Sequence, residues 1–232
     1  GGLNYADKKF GVNLNGYVTN WKNKPFPYGV SVPDPNDPTE SIRVNINGMD
    51  AIHLGGELDI AYNITKKLSA EFMVSYGNWY WNSDKTVLIP QYDSLLITFD
   101  AKGVHVGDAA QTALSASIRY EPFKNFYVKA QSQYFDRYYS NFDPFTLQGA
   151  NAGRESWVMP SYFLLNLFAG YKIPLKTTTL IASGSITNLL NTQYISDATN
   201  NANDSYDNFD AQSASVMFGG GLRFNVSLGI QF

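Results

Sequence analysis

The sequence predicts an all-β chain whose antiparallel strands cross a membrane as the wall of a β-barrel. Three observations predict it. Segments along the chain alternate apolar and polar residues at period two, the links between them alternate short and long, and aromatic residues gather where segments end. Period-two alternation marks a strand with different surroundings on its two faces. In a soluble sandwich the apolar face would be core; in a membrane barrel it meets lipid, and the polar face meets the lumen. Link lengths and aromatic placement decide between the two.

Taken in order, the first segment places Phe10, Val12, Leu14, Gly16 and Val18 on one side. The second places Leu54, Gly56, Leu58, Ile60 and Tyr62 there, and the third Leu68, Ala70, Phe72, Val74 and Tyr76. Thr112, Leu114, Ala116, Ile118 and Tyr120 make the fourth, and Phe126, Val128, Ala130, Ser132 and Tyr134 the fifth. The sixth carries Phe163, Leu165, Leu167, Ala169 and Tyr171, and the seventh Leu180, Ala182, Gly184 and Ile186. The eighth is GLRFNVSLGIQF, residues 221–232, with Phe224, Val226, Leu228, Ile230 and Phe232 on its apolar side. None of these positions is charged. The interleaved positions carry Glu57, Asp59, Glu71, Arg119, Lys129 and Arg223, which are expected to face the lumen.

The links at 63–67, 121–125 and 172–178 are short, whereas those at about 20–50, 78–110, 136–160 and 188–215 are long and polar. Soluble domains rarely hold several irregular loops beyond ~15 residues, but outer-membrane barrels pair short periplasmic turns with long extracellular loops. Tyr62, Tyr120, Phe123, Phe126, Tyr171 and Phe232 fall by the short links. Tyr76, Trp79, Trp81, Tyr134 and Tyr138 fall by the long ones, so two aromatic belts are expected at headgroup level. The reading is a bacterial outer-membrane barrel embedded in lipid.

Composition agrees. Charged residues make up 16% of the 232-residue chain, against about 25% in typical soluble domains. A net charge of −3 gives no reason to expect a nucleic-acid partner. Cysteine is absent, which excludes disulfides and thiolate chemistry. A mean hydropathy of −0.24 hides membrane strands, because half of each is polar.

Several stretches resemble one family. They are YVTNWKNK (17–24), HLGGELDIAYNITKKLSAEFMVSYGNWYW (53–81), VHVGDAAQT (104–112), SITNLLNTQYISDATN (185–200) and the closing GLRFNVSLGIQF. In order and spacing they resemble the C-terminal barrel of TonB-dependent outer-membrane receptors, most closely the Bacteroidetes branch. The resemblance implies a 22-strand barrel filled by an N-terminal plug, of which residues 1–232 supply about eight strands and no plug. It implies as partners the rest of that barrel and plug, TonB through the parent's N-terminal region, and the barrel assembly machinery acting on the terminal strand. The implied function is import of a scarce nutrient such as a siderophore, glycan or cobalamin. Two alternatives stand beside it: a complete eight-strand barrel serving as pore, anchor or adhesin, and a soluble β-sandwich binding module.

Chemistry-bearing residues are sparse, and no enzyme or cofactor is expected. His53 and His105 lack spaced partners for zinc or for a nucleophile–base pair, and read as isolated. The carboxylates Asp34, Asp37 and Glu40, and Asp204, Asp207 and Asp210, do not match an EF-hand loop and read as solvated rather than metal-binding. Gly219–Gly221 lacks the lysine and helix of a phosphate loop, and suggests a bend or close approach. Trp79, Trp81 and Trp157 at the extracellular mouth are the candidate ligand contacts, since aromatic rings can stack on a ligand.

Overall fold

A computed structural model describes the chain except for residues 26–29, 35, 38, 45–47, 89–95, 108, 143–145 and 201–210. The last group contains Asp204, Asp207 and Asp210, which therefore lie outside the described residues.

Among the described residues nine strands form one sheet: β1 (Gly2–Ala6), β2 (Phe10–Lys24), β3 (Met49–Asn63), β4 (Leu68–Trp81), β5 (Thr112–Tyr120), β6 (Phe126–Asp136), β7 (Tyr162–Pro174), β8 (Thr179–Thr187) and β9 (Arg223–Gln231). Order in space follows order in sequence, and every neighbouring pair is antiparallel. The eight expected segments are β2 to β9. The additional strand is β1, whose five residues offer only Leu3 and Tyr5 as alternating apolar positions. Pairing settles it: Leu3 lies opposite Leu14 and Tyr5 opposite Val12.

Register joins the strands into two distinct faces. One row runs from Leu14 through Leu58, Val74, Leu114 and Tyr134 to Phe163. Another runs from Val128 through Ala169 and Gly184 to Val226. Because side chains alternate, one such row commits the whole sheet to an apolar and a polar face. The apolar face is bare: Val18 is 79% exposed, Ile118 56% and Val226 81%. A soluble sandwich would bury such a face against a second sheet. A bare apolar face on a twisted meander is what lipid requires.

Buried apolar side chains gather instead at the long-link end, where Met49, Ala51, Trp81, Ala101, Val104, Val106, Leu147 and Met159 are almost wholly enclosed. Those links are not irregular, contrary to expectation. Val30–Pro33 pairs with Ser41–Val44, Lys85–Leu88 with Leu96–Phe99, and Tyr138–Tyr139 with Val158–Met159. Asn141–Phe142 runs parallel to the end of Ile195–Asn200, which pairs on its other side with Ser215–Phe218. Backbone bonds tie separate links together, from Asp100 N–H to the Leu147 carbonyl (2.9 Å) and from Gly153 N–H to the Asp100 carbonyl (2.8 Å). The opposite end has only tight turns, at 7–9, 64–67, 121–125 and 175–178.

Candidate functional site: the polar face beneath the long loops

The polar face carries residues of one parity on each strand, and cross-strand pairing decides which of them meet. Most of its charges lie between the tight turns and mid-strand. Glu71 on β4 accepts from Lys129 Nζ on β6 and from Ser117 Oγ on β5, both at 2.9 Å. Arg119 donates Nε to Glu121 at 2.8 Å and lies 3.7 Å from the centroid of the Tyr127 ring. Asp59 is 3.4 Å from Asn13 Nδ2. Glu57 stands opposite Asn15 and Ser75, and Arg223 opens β9 opposite Thr187. All six charged residues expected toward the lumen thus lie on the polar face, three of them joined through Glu71–Lys129 and Arg119–Glu121.

Further toward the long links the same face turns aromatic. His53 stacks on Trp79 with centroids 5.2 Å apart and planes 13° from parallel, and Trp21 meets His53 edge-on at 6.1 Å. Trp79 Nε1 donates to the Tyr17 hydroxyl at 2.9 Å. Two glycines make room for this shelf. A Cβ on Gly55 would run into the Tyr17 ring, and one on Gly77 into the Trp79 indole. Trp21 is 48% exposed, so the shelf presents an open ring. Stacked and edge-on rings with one free face can take a flat or apolar portion of a ligand.

Above the shelf the links are fastened by two side chains. Gln111 is 1% exposed; its Oε1 accepts from Trp79 N–H at 2.8 Å, and its Nε2 donates to the carbonyls of Trp79 (3.0 Å) and Val106 (3.2 Å). His105 puts Nδ1 2.6 Å from Glu155 Oε2 and Nε2 2.9 Å from Asn78 Oδ1, while its ring stacks on Tyr139 at 4.1 Å. Its backbone N–H also donates to Glu155 Oε1 at 3.0 Å.

The expected ligand contacts divide. Trp79 belongs to the shelf. Trp81 is 2% exposed, lies opposite Ala51 and has Lys24 Nζ over its ring 5.2 Å from the centroid, so its ring offers no surface to a ligand. Trp157 is half-buried, and its carbonyl accepts from Ser140 N–H at 2.8 Å. The aromatic belt also changes: register places Trp79 opposite His53, and Trp81 opposite Ala51, on the polar side rather than facing lipid. Tyr76, 56% exposed, stays on the apolar side. The histidines are not isolated. His105 finds Glu155 fifty residues away, a pairing that spacing cannot signal. The shelf was closer to legible, since Tyr17, Trp21, His53 and Trp79 all share the parity of Glu57.

Among the acidic loop residues, Asp34 Oδ1 accepts from Asn36 N–H at 2.8 Å and Asp37 Oδ1 from Thr39 Oγ1 at 2.7 Å, so each closes its own turn. Of the three glycines at 219–221, Gly219 is held against the Tyr194 ring, where a Cβ would not fit.

Residues 1–189 match the family model described as TonB dependent receptor-like, beta-barrel. No curated protein matches the sequence. Solved structures with the same fold include the copper transporter OprC, 15% identical with a TM-score of 0.65 over 100% of this chain and 30% of that one. The unliganded ferric citrate transporter FecA is 15% identical, with a TM-score of 0.63 over 99% and 30%. The siderophore receptor PiuA from Acinetobacter baumannii is 16% identical, with a TM-score of 0.60 over 99% and 27%. At such identities the structures speak to fold alone, and this chain spans 27–30% of their lengths. The family model reaches the family rather than the Bacteroidetes branch within it. That family consists of receptors and transporters, not enzymes. With its family match, bare apolar face and opposite polar face, the chain belongs to the TonB-dependent receptor β-barrels of the bacterial outer membrane.

Proposed function

We propose that this chain forms the barrel wall and extracellular loops of a TonB-energised importer for a scarce nutrient, such as a siderophore, glycan or cobalamin. The observation that carries the reading is the aromatic shelf of Tyr17, Trp21, His53 and Trp79, open at Trp21 and tied to the long links through Gln111. The shelf supports a ligand-handling wall, and dependence on TonB is what separates an importer from a passive pore.

The test is growth and uptake in cells carrying the intact receptor, with iron–siderophore, oligosaccharide or cobalamin as the limiting supply. The expected result is loss of use of one of the three on gene deletion, matched by loss of TonB. Trp21→Leu should lower uptake roughly two- to tenfold, the worth of one stacked ring, with surface level unchanged. Unchanged use of all three after deletion, or uptake indifferent to TonB, would overturn the reading.

A further inference from the structure

The four tight turns carry a second pattern, on the rim opposite the shelf. Each presents lysine: Lys8 and Lys9 in the first, Lys66 and Lys67 in the second, Lys124 in the third and Lys176 in the fourth, all exposed. The turns contain two carboxylates, and both are engaged within the chain. Asp7 accepts from the N–H groups of Lys9 (2.6 Å) and Phe10 (2.8 Å), and Glu121 holds Arg119. Lys67 Nζ reaches across to the Pro122 carbonyl at 2.6 Å, which fixes its ammonium between neighbouring turns. Successive turns sit two strands apart, roughly 10 Å, so the lysines form an arc of separate charges.

A lysine-rich rim is ordinarily a solvated edge. Here three turns also expose an apolar residue: Ile64 (43%), Phe123 (54%) and Leu175 (57%). Phe123 stacks on Phe126 at 4.8 Å, and Tyr171 meets both edge-on at about 6 Å, on the side that faces lipid. Apolar residues beside cations, continuous with an apolar face, are the composition of a surface lying at headgroup depth. Water alone gives no reason for the apolar partners. The compact ammonium of lysine suits a phosphate as a point charge.

We infer that this rim binds the phosphate headgroups of anionic phospholipids in the leaflet that meets the tight turns. The apolar residues enter the headgroup layer, and Lys8, Lys9, Lys66, Lys124 and Lys176 engage phosphates around them. An acidic protein would match the charges but not the continuity with the lipid face.

Native mass spectrometry of the intact receptor tests this, with dioleoyl-phosphatidylglycerol and dioleoyl-phosphatidylcholine offered in equal amounts. Wild type should retain phosphatidylglycerol preferentially, by roughly fivefold for each closely engaged lysine at low salt. Replacing the five lysines by Gln should bring the ratio close to one. Lys22, Lys85 and Lys102→Gln, at the other rim, should leave most of the preference. Should the fivefold variant fail to assemble, the pairs Lys8→Gln with Lys9→Gln, and Lys66→Gln with Lys124→Gln, should each lose part of it. Equal retention of the two lipids by wild type, or a preference that survives the tested substitutions, overturns the inference. So does loss of a cross-linked acidic protein in the variants at an unchanged lipid ratio.

Discussion

Gln111 does at residue scale what a backbone strand does elsewhere, pairing with both polar groups of Trp79 and with the Val106 carbonyl while almost wholly enclosed. Leucine fills a similar volume but satisfies none of the three. Each buried group left unpaired costs about 1–3 kcal/mol, so Gln111→Leu should destabilise the loop core by at least that much. Amide exchange at Trp79 reads it directly; protection equal to wild type would mean that the glutamine is dispensable. Asp7 acts in the open. The N–H groups of Lys9 and then Phe10 hold its carboxyl below the ordinary aspartate range. A depressed folded pKa means that the support it gives the turn is complete above the unfolded value and is lost as pH falls through the folded one. Exchange at Lys9 and Phe10, corrected for intrinsic rate, should therefore speed up at acid pH in wild type and stay flat in Asp7→Asn. Matching profiles would remove Asp7 from the turn's support. Neither role can be read from sequence. Gln111 is one amide in a polar link, and its partners are 5 and 32 residues away.

At the scale of elements, facing is what the alternation encodes, and parity made it legible. Val128 lies on the apolar side opposite Ala169, and Gln131 on the polar side opposite Asn166, three residues apart on one strand. Arginine at Val128 should cost about 2–4 kcal/mol near the bilayer midplane, whereas arginine at Gln131 meets a polar wall and should cost far less. Urea unfolding of the intact receptor in vesicles measures both, and equal costs would mean that the faces are assigned wrongly. Strands with four or five alternating apolar residues announced themselves because lipid tolerates few exceptions. Gly2–Ala6 did not, being too short to show a period, and neither did the strand pairs in the long links. Asn141–Phe142 exists as a strand only because Thr199–Asn200 lies beside it. The same limit applied to the site. Charges on the polar face followed from parity, but Trp81 read as a rim residue because its surroundings come from other segments: Ala51 opposite, Lys24 over its ring and Val104 bonded to its backbone.

At the scale of the molecule, strand number and direction restrict what the sheet can become. Nine antiparallel strands leave β1 and β9 running the same way, so an antiparallel seam between them is geometrically impossible. Both are edges: among the described residues, β1 pairs only with β2 and β9 only with β8 in the sheet. An unpaired edge in hydrocarbon leaves a row of backbone groups without partners at several kcal/mol apiece. An even-stranded barrel needs an odd number of further strands to supply two antiparallel seams, and a 22-strand wall of the kind the resemblance implies meets that condition. For the complete eight-strand barrel considered from sequence to close with antiparallel seams, one of the nine strands would have to leave the sheet. The 232-residue chain, refolded alone into planar bilayers, is therefore expected to give irregular or no conductance. Co-refolding with a segment that supplies the neighbouring strands should restore defined behaviour, because it covers both edges. A uniform, long-lived channel from the isolated chain would mean that the sheet closes on itself through a parallel seam or by expelling β1, and the partial-wall account would then fail.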